Sequence, residues 1–495
     1  MRLSRLFQAV TVVFLCFLML PAIVSCNKEE EKSEMGEKEM TYTSATKDAS
    51  PLRPNGLFCE NMVLQQGRSV PVWGAADAEL EGKEITLTFA GQTKTTTVKD
   101  GAWRVDLDAL EASFEGKTIL LTCGEITYRI DKVRVGEVLL ASGQSNMCFY
   151  IEYLTGETKN EILANSNQPN LGFFIVPEDF GTKTKTDVSG NWVVPSASNI
   201  QSSKISTVAF LTAAAMQKEL NVPVGVVVSA YGGSRIESWI DPKVLLETEK
   251  AGTPVLGGVT GEGTYKGMIA PLQPFAFRAM IFYQGEANCF PNDHVSYYPT
   301  YVKAMVESYR TAFENPGMPF LQVSLPSYDL DLDFTGIRNA QISCDSLIDR
   351  CWTTVNYDTG NAKDIHPADK SLVGKRLADL VLQQVYGKQK DQIYPTAISA
   401  EATEDGALIT FETGTDGLAV TTSEICSLEV AGEDGVYYPA TGVLVGENRL
   451  RVYCPSVKTV KQVRYGYASN LLACNFYGAN GLPVKPFLLP VFVQV

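Results

Sequence analysis

An α/β body flanked by two β segments is the fold class that this 495-residue chain predicts, and three observations carry it. Between residues 135 and 390, apolar runs of strand length alternate with stretches of helical spacing. Before and after that span, the apolar period is two. Strands that alternate with helices make a mostly parallel sheet covered on both faces, and period-two runs bounded by turn residues make antiparallel β structure. Residues 138–142, 224–229, 279–283, 319–325 and 352–357 read as buried strands, and residues 208–220, 297–313 and 371–386 read as helices. In the first β segment Ile85, Leu87 and Phe89 alternate with threonines, and Asp100-Gly101 marks a tight turn before Trp103, Val105 and Leu107. In the last, turns fall at Asp434-Gly435 and Glu447-Asn448. The organisation is therefore a β domain over 56–134, an α/β domain over 135–390 and a β segment over 391–495.

The N-terminus has the pattern of a leader. Arg2 and Arg5 precede an apolar stretch from Phe7 to Ile23, which ends in Ile-Val-Ser-Cys and turns abruptly polar. Residues 1–25 thus read as a lipoprotein signal peptide, with Cys26 as the lipidated residue. The apolar stretch is at the short end of the roughly 17–25 residues that a membrane-spanning helix needs. Residues 26–55, charged and rich in Ser, Thr and Pro, read as a flexible tether. Removing the leader takes away two arginines and no acids, moving the formal charge from −14 to −16. So acidic a chain is a poor candidate for binding nucleic acid or anionic lipid, and the only membrane contact expected is the lipid anchor. Of eleven cysteines, nine lie outside the leader and its cleavage box, so at least one is a free thiol or pairs between chains. Cys344 and Cys351 are close enough in sequence to bridge, or else are buried thiols. With two histidines and no CxxC pair, no metal site and no cofactor are expected.

Ser145 stands in GEVLLASGQSNM (136–147), where a buried strand breaks at Gly143. A hydroxyl in the turn after a strand is where open α/β sheets put reacting groups. A serine nucleophile needs a base, and the chain offers only His294 and His366 as imidazoles. His366, in DIHP (364–367), has a carboxylate two residues before it and a proline after it, whereas His294, in FPNDHVSYYP (290–299), reads as a surface or capping residue.

These motifs, with LFCENMVLQQ (57–66), AYGGSRIESW (230–239), YKGMIAPL (265–272), FYQGEAN (282–288), IRNAQ (337–341), DIHPADKSLVGKRLA (364–378) and NGLPVKPF (480–487), resemble the sialate O-acetylesterases, carbohydrate esterases of the SGNH-hydrolase superfamily. The acidic run after Cys26 is similar to the export signal of Bacteroidota lipoproteins of the outer membrane, on its periplasmic or cell-surface face. The resemblance implies an SGNH-hydrolase (flavodoxin-like) three-layer catalytic domain with flanking β-sandwich-like segments. It also implies Ser145 as nucleophile and His366 as base. The superfamily's acid stands three residues before the histidine, which is Lys363 here. Asp364 is then the first candidate for orienting His366, with Asp358 or a backbone carbonyl as alternatives. The oxyanion donors implied are the amides of Ser145 and Gly233 and a side chain from FYQGEAN. Ala287 occupies the superfamily's asparagine position, leaving Gln284 and Asn288, with Glu286 as a carboxylate that pins the loop. Gln144, Arg235 and Trp239 are expected at the substrate: Arg235 on a sugar acid's carboxylate or else paired with Glu237, and Trp239 stacked on a pyranose. The activity implied is O-acetyl removal from carbohydrate, sialic acids first, with acetylxylan or another plant glycan as the rival substrate. The rival of another class is an inert glycan-binding surface lipoprotein.

Overall fold

One strand, Ile126–Gly143 (β1), carries the chain from its N-terminal β region into the middle of a parallel sheet. The computed structural model describes residues 40–255, 263–329, 332–414, 417–421 and 424–492. The expected signal peptide, the lipid site Cys26 and the first part of the expected tether lie outside them.

The sheet continues through Leu171–Ile175 (β2), Trp192–Val193 (β3), Val224–Ala230 (β4), Ala279–Tyr283 (β5), Phe320–Val323 (β6) and Cys351–Thr354 (β7), in the order β3-β2-β4-β1-β5-β6-β7. Every pairing in this series is parallel except β2 with the edge strand β3. The strands are Val/Ile/Leu/Phe-rich and buried along their length, as strands covered on both faces must be. Between them run Gly156–Ala164 (α1), Thr207–Leu220 (α2), Pro242–Lys250 (α3), Tyr298–Ala312 (α4) and Phe334–Leu347 (α5), and Ser371–Tyr386 (α6) follows β7. Side-chain caps start three of them: Ser206 accepts from the Ala209 amide at 3.2 Å, Asp241 from Lys243 at 2.8 Å, and Asp333 from Gly336 at 2.7 Å. Helix α6 stops at Gly387, whose φ of 66° is the left-handed cap that glycine adopts freely.

The upstream half of β1 pairs antiparallel with Ser113–Cys123, and Arg134–Gly136 pairs parallel with Val63–Gln65. The expected boundary between residues 134 and 135 therefore falls inside a single strand, and the two regions share one hydrophobic core. Period-two apolar spacing upstream and a continuous apolar run downstream looked like two elements because only the downstream half is buried on both faces. A second core, built on Phe411, Tyr465, Phe476 and Phe487 with Val355 and Tyr357 from the loop after β7, belongs to the C-terminal strands. The turn at Asp100-Gly101 has φ of 54° and 71°, as a two-residue turn of this type requires.

The tether reading fails for residues 40–54. Met40–Thr43 pairs with β1, and Leu52–Pro54 pairs with Val70–Ala76, burying Leu52 completely. Neither stretch has enough apolar residues to signal a strand alone; each takes its partner from another strand, which for Met40–Thr43 lies far along the chain. Helices α3 and α5 and strand β2 also escaped the sequence pattern, being short or rich in polar residues. All nine cysteines from Cys59 to Cys474 are thiols, Cys344 and Cys351 among them, both buried.

Candidate active site

Gly143 is paired in register with Ala230 on one side and Tyr283 on the other, so β1, β4 and β5 end together. The loops that follow them bring together Ser145, Gly233 and the segment Gln284–Asn288. Gly143 has φ of 140°, and a Cβ there would lie 2.1 Å from the Tyr283 carbonyl oxygen. Only glycine lets the strand turn so tightly beneath Ser145.

Ser145 is half-buried between the buried Gln144 and Asn146. Its Oγ lies 2.7 Å from His366 Nε2, although the two residues are 221 positions apart. With its proton on Nδ1, a neutral imidazole accepts from the serine hydroxyl, the arrangement that general-base activation needs. Burial, and secondarily the charge of Lys370, hold the His366 pKa below its usual value, against an opposing pull from Asp364. The free base is thus favoured at neutral pH.

His366 comes from the loop between β7 and α6. Strand β7 is three places from β1 in the sheet, about 14 Å away, so this loop folds back over the sheet edge. Asp358 and Arg376 anchor it by a buried bidentate pair at 2.6 and 2.7 Å, and Arg376 also donates to the Val355 carbonyl at 2.9 Å. This takes Asp358 out of contention as the partner of His366.

Asp364 does not hold the imidazole either. Its Oδ1 accepts the backbone N–H of His366 at 2.8 Å, closing a local turn. Among the described residues, none accepts from His366 Nδ1 within hydrogen-bond geometry, so the expected third triad member is absent from its usual place. A two-residue offset sets the carboxylate against the histidine's own backbone, as in an Asx turn.

The amides of Ser145 and Gly233 make no hydrogen bond to the described residues, and Gly233 has the positive φ (69°) of a loop turned in on itself. A Cβ at Gly232 would lie 3.9 Å from that of Ser145, so the glycine loop closes against this serine. Gln284 and Asn288 do not join them. Gln284 Nε2 is taken up by Gln144, Ser234 and Asn288 acceptors at 3.2, 3.1 and 2.7 Å. Asn288 Nδ2 donates to Glu237 at 2.9 Å, while its Oδ1 accepts from Ile236. Both side chains are buried scaffolding. Gln144 is the informative case. Its Oε1 accepts from the amides of Gly285 and Ala287, at 3.3 and 3.1 Å, as well as from Gln284. Backbone N–H groups only donate, so the oxygen must be the atom facing them, and Nε2 is left without an acceptor among the described residues. Gln144 thus reaches the Ala287 amide, where the superfamily pattern would place an asparagine.

Arg235 and Trp239 are not available to substrate. Arg235 donates to Glu237 at 2.9 Å and to the carbonyls of Ala287, at 2.8 Å, and Phe290. Trp239 is wholly buried, its indole N–H on Ser234 Oγ at 2.9 Å. The AYGGSRIESW stretch is polar enough to read as a binding loop, yet it turns into a short helical segment, Ile236–Trp239, whose side chains all point inward.

The sequence reading assigned no role to Asn146 or Lys370, which complete the site. Lys370 is 1% exposed, with Nζ 2.6 Å from Asn146 Oδ1 and 4.8 Å from the centre of the Phe149 ring. Burial pulls its pKa down to about 8. Asn146 Nδ2 donates to Glu286 at 2.5 Å and to the Ile365 carbonyl at 3.0 Å. Burial raises the Glu286 pKa, opposed by the Asn146 bond and by Lys370. The loop-pinning expected of Glu286 is therefore exerted through Asn146. Both missed residues lie inside the motifs already singled out, Asn146 beside Ser145 and Lys370 four residues after His366.

Residues 135–383 match the family described as carbohydrate esterase, sialic acid-specific acetylesterase. The sialate O-acetylesterase of Rattus norvegicus is 26% identical over 386 residues, 64% of this chain and 70% of the rat protein. That of Homo sapiens is 26% identical over 275 residues, 51% of this chain and 52% of the human protein. The crystal structure of a carbohydrate acetylesterase from Xanthomonas citri superposes with a TM-score of 0.80 at 27% identity, covering 88% of this chain and 99% of that one. With half the chain matched, including the strand, loops and helix that hold Ser145 and His366, the chain belongs to the sialic acid-specific acetylesterase family of carbohydrate esterases.

Proposed function

We propose that this carbohydrate esterase works through an acetyl-enzyme on Ser145. The observation that carries the reading is the 2.7 Å contact between Ser145 Oγ and His366 Nε2. His366 takes the hydroxyl proton as Oγ attacks the acetyl carbonyl, then gives it to the departing sugar oxygen. A water deprotonated by the same nitrogen releases acetate and restores the serine. The developing oxyanion is received by the amides of Ser145 and Gly233, with Gln144 Nε2 as the third donor in place of the expected Gln284 and Asn288. Each such donor contributes about 2.7–4 kcal/mol in comparable enzymes. The sheet order and its helices support an SGNH-type three-layer catalytic domain.

The substrate supported by family membership is an O-acetylated sialic acid. One observation favours a second reading, an O-acetylated neutral glycan. Arg235, the cation expected to meet a sugar acid, is engaged by the protein. Acetate release from O-acetylated sialic acids and from acetylated xylan, side by side, separates the two. A fluorophosphonate probe tests the nucleophile: an inert glycan binder takes up no label, and a serine hydrolase is labelled at Ser145. We also read the chain as an exported, Bacteroidota-type outer-membrane lipoprotein anchored through Cys26. Mass spectrometry of the N-terminus of the membrane fraction, against a Cys26→Ala variant, checks the anchor.

A further inference from the structure

Among the described residues no carboxylate accepts from His366 Nδ1, yet its ring must be aimed. The Ile365–His366 peptide group is held on both sides: its C=O accepts from Asn146 Nδ2 at 3.0 Å, and its N–H donates to Asp364 Oδ1 at 2.8 Å. Pro367 follows, and a residue before proline is kept out of the helical region, so His366 loses backbone freedom from a third direction. Asn146 is fixed in turn, Oδ1 by Lys370 Nζ and Nδ2 by Glu286. Because Asn146 is the residue after Ser145, one side chain ties the nucleophile's turn to the base's peptide.

We propose that this enzyme aims its imidazole through the backbone, by a clamp of Asn146 and Asp364 on the Ile365–His366 peptide, with Lys370 and Glu286 as the positioning residues that lock Asn146. The inference rests on the Ser145–His366 dyad proposed above. A carboxylate on Nδ1 acts by charge and tautomer, whereas this clamp acts by geometry, so Asp364 needs only an acceptor oxygen. Its loss should appear in kcat and leave KM nearly unchanged, since misplacing a catalytic group by about 1 Å costs on the order of 10²-fold.

The charged groups facing His366 are Lys370 and Asp364, and those facing Lys370 are Glu286, Asp364 and Asp369. Lys370 therefore does two things. It holds Asn146, and its charge depresses the imidazole's proton affinity. Removing it should loosen the clamp and raise the His366 pKa together, a signature that simple loss of packing does not produce.

The test compares Asp364→Asn with Asp364→Ala, and adds Asn146→Ala and Lys370→Met, on p-nitrophenyl acetate. Asp364→Asn keeps the acceptor oxygen and should stay within about threefold of wild type. Asp364→Ala and Asn146→Ala should each lose about 10- to 100-fold in kcat. Histidine side-chain NMR reads the base directly, because the chain has only two imidazoles and a His294→Gln variant assigns them. In Lys370→Met, the His366 titration should move to higher pH. Equal losses for Asp364→Asn and Asp364→Ala would mean that the carboxylate's charge matters and would overturn the clamp. So would wild-type kcat in Asp364→Ala, an exposed site whose replacement leaves the core untouched, even if Asn146→Ala fails to fold. An active Ser145→Ala variant instead overturns the dyad itself, which keeps the two failures apart.

Discussion

The turn that carries Ser145 and the loop that carries His366 meet at 2.7 Å, yet they are positioned by different physics. Strand register places Ser145: β1 ends between two parallel neighbours, and the Gly143 turn leaves little choice of direction. Side-chain chemistry places His366. Its loop starts at the sheet edge and is held by the Asp358–Arg376 pair, the Asn146 bond and the turn at Asp364. Backbone ladders are distributed over many bonds and tolerate single substitutions. A loop fixed by a few buried polar contacts does not, because removing one partner leaves the other unsatisfied in a low-dielectric interior.

The largest effect should come from uniting the two regions' functions. Ser145→Ala and His366→Ala are each expected to lower kcat by about 10³- to 10⁶-fold with unchanged circular dichroism, and the double variant should be scarcely worse than either, because the pair acts in one proton transfer. Multiplicative losses in acetate release would show that the residues act separately. Next comes the anchor of the base loop. Asp358→Ala strands Arg376, 4% exposed at its side chain, and should lower unfolding stability by about 3–5 kcal/mol in urea titration. An unchanged midpoint would show that the loop is held by something else.

Arg235→Ala probes the nucleophile's side of the site. Since its guanidinium binds Glu237 and two backbone carbonyls, the variant should lose the same factor in kcat/KM on an O-acetylated sialic acid and on p-nitrophenyl acetate, within about threefold. A loss confined to the sialic acid would restore Arg235 to substrate binding. The smallest effect concerns pH. Burial and Lys370 lower the His366 pKa, so the proton-bearing, inactive form accumulates only below the ordinary histidine value. The acid limb of kcat/KM should then fall below about pH 6.5, and a limb at or above that value would contradict the environment described for the imidazole.

Several features were legible in the chain without coordinates. Buried strands and amphipathic helices come from local periodicity, so β4, β5 and α6 start and stop where their apolar patterns do. The scarcity of histidine made His366 findable, since a serine nucleophile needs a base and there were two to choose from. What escaped was everything decided by which groups meet in space. Trp239 and Arg235 are exposed in sequence pattern and enclosed in the fold. Gln284 and Asn288 have the right chemistry for an oxyanion, but buried neighbours claim them first. Met40–Thr43 is polar and becomes a strand only because β1 offers it a partner. Residue order by itself determined the strongly periodic elements and singled out Ser145 and His366 as candidates, because period and turn chemistry are properties of neighbours along the chain. The tertiary structure alone decided how His366 is held and which polar groups remain free, because a buried donor bonds to whatever acceptor the packing brings near it, however distant in sequence.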